Sequence, residues 1–218
     1  MHIDNSQPSC ERQKQPCSIS RTAGFTILEL MIASTVFAVI LLVVAVGVIS
    51  FTDNYYKGIT AANTQSVART IMADVSQSIE FGGNVHVLQL SSAGLGGLCV
   101  DNTLYSYQLG QLVTNSNHGL VETNGVTCSA TTQPSLAINA NSRELLNQNM
   151  QLATPLVLPT DLSNPYAIRV RVIYGADNLL TIPNPNWVTQ GASEECEGVT
   201  GSQFCAVSDL MTTVDQRL

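Results

Sequence analysis

Hydrophobic and polar positions divide the chain into four stretches. Residues 1–24 are polar, with Ser6, Ser9, Ser18 and Ser20, and are basic at Arg12, Lys14 and Arg21. Residues 25–51 hold a single charge, Glu29, and within them 30–49 is an uncharged run broken only by Ser34, Thr35 and Gly47. At about 1.5 Å per residue a helix of that length spans ~30 Å, the hydrocarbon thickness of a bilayer. A buried core helix is the alternative, but uncharged runs of that kind are usually shorter. After Phe51 the pattern acquires a period. Ile59, Ala62, Val67, Ala68, Ile71, Met72, Val75 and Ile79 recur three and four apart, with Asn63, Gln65, Arg69, Asp74 and Gln77 between them. That spacing predicts an amphipathic helix with one face on a core. Phe81 followed by Gly82-Gly83-Asn84 is a stop signal, so one nearly continuous helix is expected from about 26 to 81.

Beyond residue 84 the period shortens to two. Strands are expected at 84–90, where Val85 and Val87 alternate in part, and at 104–109, with Tyr105 and Tyr107 on one side. The clearest is 166–174, where Ile168, Val170 and Val172 face one way and Arg169 and Arg171 the other. It ends at the turn Gly175-Ala176-Asp177-Asn178. Two short final strands are read at 204–207 and 210–214, and Pro159, Pro165, Pro183 and Pro185 punctuate the loops. Helix first and sheet second imply an α+β fold, a long N-terminal helix packed on a C-terminal antiparallel β-sheet head. The expected division is a leader over 1–24, a membrane or filament-core helix over 25–51, its amphipathic continuation over 52–82 and a β-rich head over 83–218.

Charge sharpens this picture. Only 11% of the 218 residues are charged, against roughly 25% in an average soluble domain. The net charge of -7 argues against binding nucleic acid by phosphate neutralisation. Three basic residues precede the apolar run and only Lys57 lies just after it. The positive-inside tendency therefore places the leader in the cytoplasm and the remainder outside. An ordinary secretory signal carries its apolar core inside the cleaved piece. Here the small pair Ala23-Gly24 comes before the apolar core, so cleavage there would leave the membrane segment on the mature chain.

The junction reads Gly24-Phe25-Thr26-Ile27-Leu28-Glu29-Leu30. It resembles the type IV prepilin signature: a basic polar leader, a glycine, an aromatic residue, a Thr-Ile-Leu stretch and a glutamate ahead of a membrane-length helix. The likeness covers roughly residues 15–55. It implies that prepilin peptidase cuts between Gly24 and Phe25 and methylates the new amine of Phe25. It also implies that Glu29 attracts the N-terminal amine of a neighbouring subunit, in an apolar bundle where the pair is weakly screened, and so sets axial register. A carboxylate at the centre of a membrane helix costs about 2.5–3.5 kcal/mol. Glu29 lies only ~6 Å of helical rise past the junction, where headgroups and water lower that cost. An interfacial glutamate favoured by the helix dipole is the plainer alternative. Two departures stand out: the leader is long for a chain whose mature residue would be phenylalanine, and Gly47 stands in for the proline often found mid-segment in major pilins.

Of six cysteines, Cys10 and Cys17 fall in the leader. The remaining four allow three pairings. An even number in an exported domain favours disulfides, and closure entropy favours local ones, Cys99–Cys128 and Cys196–Cys205. A zinc site is the competitor, yet no Cys-x-x-Cys spacing exists. The C-terminal cysteine loop is similar to those bounding the variable region of pilin heads. Tyr105-Ser106-Tyr107 and Phe204-Cys205-Ala206 are similar to segments of minor pilins.

Catalytic chemistry is not apparent. Only His86 and His118 lie beyond the leader, and there is no Gly-x-Ser-x-Gly, His-Glu-x-x-His or P-loop. Gly94-Leu-Gly-Gly97 reads as a flexible turn. Glu194, Glu195 and Glu197, and more weakly Asp177 with Asn178, offer oxygen ligands for Ca²⁺ or are plain acidic loops. Trp187, among prolines and asparagines, is a loop anchor or a contact for ligands and neighbouring subunits.

The resemblance implies a non-enzymatic structural subunit with no cofactor and no metal: a minor pilin of a type IV pilus, at the tip or along the filament. Its expected partners are prepilin peptidase, other major and minor pilins and the inner-membrane assembly platform, with no nucleic acid. It would begin as a single-pass protein of the cytoplasmic membrane, N-terminus inside and head outside, and end in the extracellular filament. A pseudopilin of a type II secretion system shares the signature. A membrane-anchored binding protein that never polymerises is the reading of another class.

Overall fold

The computed structural model describes residues 24–157, 165–180, 196 and 201–217. It contains one long helix and two antiparallel sheets, an α+β layout of pilin type. The helix, α1 (Ile27–Phe81), is a single helical run that includes Gly47. The chain divides into two compact units, one up to Gly47 and one from Val48 onward. In the first, every described residue is exposed, and the run is long and apolar enough to cross a membrane.

In the second unit, five strands form a meander in the order β1 (Val85–Leu88), β2 (Leu95–Val100), β3 (Thr103–Gln108), β4 (Leu120–Asn124) and β5 (Ser142–Glu144). A three-stranded sheet follows: β6 (Met150–Leu152), β7 (Tyr166–Tyr174) and β8 (Ala206–Val214). Both sheets and α1 feed one core. Ala68, Ile71, Val75 and Ile79 of the helix join Leu98, Tyr105 and Tyr107 from the first sheet and Ile168, Val170, Val172 and Val214 from the second. Thr64, also buried, meets its need within the helix by donating its hydroxyl to the Thr60 carbonyl, 2.8 Å away. The predicted stripe is therefore covered from Thr64 on. Ile59 and Ala62, which the spacing places on the same face, are exposed.

Several strands differ from expectation. Gly94-Leu-Gly-Gly97 is a turn only as far as Gly94, whose amide donates to Ser91 O at 2.9 Å; Leu95 onward is β2. Glycine is required there by packing, because a Cβ on Gly96 would lie 2.8 Å from the ring of its cross-strand partner Tyr107. The two short final strands are one strand, β8, in nine-residue register with β7. The alternation of β7 holds, but its outer face is not left to water: Ile173 joins Ala153, Leu180 and Cys205 in a second small cluster, and Arg171 is buried.

Helix α1 stops where the glycines signal, by a specific mechanism. A Cβ on Gly82 would meet Val100 Cγ1 at 2.3 Å, so only glycine lets the chain pass. The Asp101 carboxylate, on a residue with φ 49°, then accepts from the amides of Gly83 (2.9 and 3.0 Å) and Asn84 (3.0 Å). β8 is fastened to the helix at both ends. Phe204, just before it, packs on Tyr56 with ring centroids 5.9 Å apart. Just after it, the Gln216 side chain donates to Gly82 O (2.5 Å), and Arg217 bonds Glu80 through backbone (2.9 Å) and side chain (2.8 Å).

Disulfides join Cys99 to Cys128 and Cys196 to Cys205, with Cα separations of 5.6 and 5.7 Å. The first ties the C-terminal end of β2 to the loop after β4. The second lies beside the Ser202–Phe204 turn that carries Phe204.

Candidate processing and assembly segment

The segment 24–30 is built for access. Gly24 has no heavy atom within 4 Å of where a Cβ would sit, and Phe25 is 77% exposed. Among the described residues nothing shields the Gly24–Phe25 peptide bond from an incoming protease, and regular helix begins only two residues later.

Glu29 sits in the first turn of α1, in a reciprocal arrangement with Thr26. The Thr26 hydroxyl oxygen accepts from the Glu29 amide at 3.2 Å, while a Glu29 carboxylate oxygen lies 3.5 Å from both the amide nitrogen and the hydroxyl of Thr26. The Thr26 carbonyl accepts the first helical bond, from Leu30 N at 3.2 Å. This is a capping box, in which a threonine and the glutamate three residues on satisfy two amides that the helix leaves open. The 3.5 Å contacts are long, and both residues are exposed. The carboxylate is thus held at the helix N-terminus, in the favourable field of the helix dipole, without being consumed by a tight partner. Thr26 is the residue that the sequence reading missed. Its signal was present: Thr-x-x-Glu directly ahead of an apolar run is the sequence form of this cap.

The other candidates do not converge. His86 lies in β1, in register with Cys99. His118 has its Nδ1 3.3 Å from Glu144 Oε2, but that carboxylate is already engaged by the amides of Gly119 and Leu120 at 3.0 and 2.9 Å. Among the described residues no three His, Cys, Asp or Glu side chains come together as a metal site. Glu194, Glu195, Glu197 and Trp187 lie outside the described residues. A cavity of about 490 Å³ between α1 and the first sheet holds Asp74, Glu122 and Arg143. Arg143 spans it, 2.5 Å from Glu122 and 3.0 Å from Asp74. Tyr105, at the same place, is pushed up to about 12 by burial and shares a 2.6 Å hydrogen bond with Ser78. The arrangement is a satisfied polar cross-brace.

Residues 19–45 match the family model described as the prokaryotic N-terminal methylation motif. The chain carries the type IV prepilin signature. This motif indicates prepilin processing of the type IV pilin or pseudopilin kind, by prepilin peptidase, and assembly with other pilins. The segment it describes is a structural one. No curated protein and no solved structure matches the chain. The prepilin signature thus covers the junction, the capping box and the first part of α1, and the β-rich head lies outside it.

Proposed function

We propose that the protein is a minor pilin: a non-enzymatic subunit that is cut between Gly24 and Phe25, methylated on Phe25 and assembled with other pilins into a type IV pilus. The observation that carries this reading is the exposed junction followed by the Thr26–Glu29 capping box at the head of a membrane-length apolar helix. Before assembly the apolar run sits in the cytoplasmic membrane with the leader inside and the head outside, as the distribution of basic residues favours. On cleavage, Phe25 becomes a positive N-terminus one residue before the cap. The loosely held Glu29 carboxylate exchanges its contacts with Thr26 for the amine of a neighbouring subunit. In an apolar filament core that pair is worth far more than in water. Glu29 thereby fixes how far one subunit advances past the next. The head, low in charge, packs beside others with little repulsion.

Mass spectrometry of the chain purified from cells that contain prepilin peptidase tests this. The expected N-terminus is Phe25 carrying one methyl group, and Glu29→Gln is expected to be cut but poorly incorporated into filaments. A mature chain that begins at Met1, or anywhere but Phe25, overturns the proposal.

A further inference from the structure

Four aromatic rings form an unbroken exposed cluster in the second unit. Phe51 stacks on Tyr55 with centroids 6.3 Å apart, Tyr55 meets Tyr56 at 6.2 Å, and Tyr56 meets Phe204 of the head at 5.9 Å. All four are between 46% and 72% exposed, so none is spent on the core. Three come from consecutive turns of α1, and the fourth is delivered by the turn that ends at the Cys196–Cys205 disulfide. The head thus adds a ring of its own to an apolar patch that the helix begins.

The position of the patch along the chain says what covers it. The uncharged run ends at Ile49. At the helical rise Phe51 lies ~3 Å beyond that point, and Tyr55 and Tyr56 about 9–11 Å beyond it. The hydrocarbon core is about 30 Å thick and the whole bilayer about 40–45 Å, which leaves a headgroup layer of roughly 5–8 Å on each side. Long helical side chains lean toward the helix N-terminus, which brings both tyrosine rings back into that layer. Tyrosine suits it, with an apolar body and a polar tip. Lys57, the one base just past the run, reaches lipid phosphate by extending its apolar stem.

We propose that Phe51, Tyr55, Tyr56 and Phe204 form an interfacial anchor that seats the head on the outer lipid headgroups while the subunit waits in the membrane. The proposal rests on the membrane-anchored reading above and adds to it a fixed depth and a lipid contact made by the head itself. Extraction into a filament then removes these four rings from lipid along with the helix.

The test uses the full-length chain in vesicles of phosphatidylcholine and phosphatidylglycerol, brominated either near the headgroup or near the chain ends. In a Trp187→Phe background, single tryptophans are introduced as Val39→Trp, Tyr56→Trp and Phe204→Trp; the last two exchange one ring for another, which protects folding. Val39→Trp is expected to lose emission to deep bromines, and both Tyr56→Trp and Phe204→Trp to shallow ones, with a shift to shorter wavelength. If Val39→Trp is quenched while either of the other two is not, the anchor is overturned and the membrane reading stands. If Val39→Trp is not quenched, the membrane reading fails and the anchor with it. Emission from Tyr56→Trp that follows the protein-to-lipid ratio and ignores bromine overturns the anchor in favour of a second copy of the chain.

Discussion

Asp209 and Arg169 pair diagonally across β7 and β8, where two guanidinium nitrogens meet the two carboxylate oxygens at 3.0 and 2.6 Å. The Arg169 hydrogen bonds hold Asp209 below the usual carboxylate range, against an opposing push from partial burial. A depressed carboxylate stabilises the fold at pH values above its unfolded-state value of about 3.9, and that contribution is lost as pH falls through the lower folded-state value. Half-exposed pairs of this kind contribute less than about 1 kcal/mol. Asp209→Asn is therefore expected to lower the urea midpoint slightly at pH 7, with the deficit closing as the pH is lowered through the depressed folded-state value. A persistent deficit in acid would show that the side chain acts by packing and not by charge. Single residues also explain what the sequence concealed. Asp209 interrupts an apolar pattern and splits β8 into two apparent strands, because its partner Arg169 is remote in sequence. Gly96 disguises β2 as a turn, since the ring of Tyr107 that fills its place lies on another strand. Thr26 shows its role only beside Glu29, because a threonine signals a cap only together with the glutamate three residues on.

Among the elements, α1 is the one whose period the sequence states openly, and its end at Gly82 is equally plain. Its covered face begins later than the pattern implies. Ile71 is buried, whereas Ile59, on the same stripe, is half-exposed. Removing a buried Ile side chain costs about 2–5 kcal/mol through lost transfer energy and the cavity left behind; exposed changes usually stay within about 0.5 kcal/mol. Chemical denaturation of the detergent-solubilised full chain is expected to separate Ile71→Ala from Ile59→Ala by that margin, and equal losses would mean that the head covers the helix further toward residue 59. β4, β5 and β6 were not legible. β5 and β6 are three residues each, too short to display a period. β4 places Glu122 among buried positions, where the ion pair with Arg143 on β5 and a hydrogen bond from the Asn124 side chain make it tolerable.

At the scale of the whole molecule, two covalent links close loops of unequal length. Cys99–Cys128 spans 29 residues and Cys196–Cys205 spans 9. By the chain-entropy estimate they restrict the unfolded chain by roughly 3.5 and 2.5 kcal/mol. Cys99→Ser with Cys128→Ser is expected to lower the melting temperature more than Cys196→Ser with Cys205→Ser, measured on the oxidised chains. The reverse order would show that the shorter link holds native structure, through the Phe204 turn, beyond its effect on the unfolded state.

The double fastening of β8 also decides how the head meets mechanical load. The strand runs alongside α1, tied near Tyr56 at one end and near Glu80 and Gly82 at the other. A pull along the helix therefore acts along the strand. Hydrogen bonds between antiparallel strands lie across the strand direction, so such a pull shears all nine rungs between β7 and β8 together and does not peel them one after another. In the filament proposed above, a load carried along α1 would therefore meet β8 in shear.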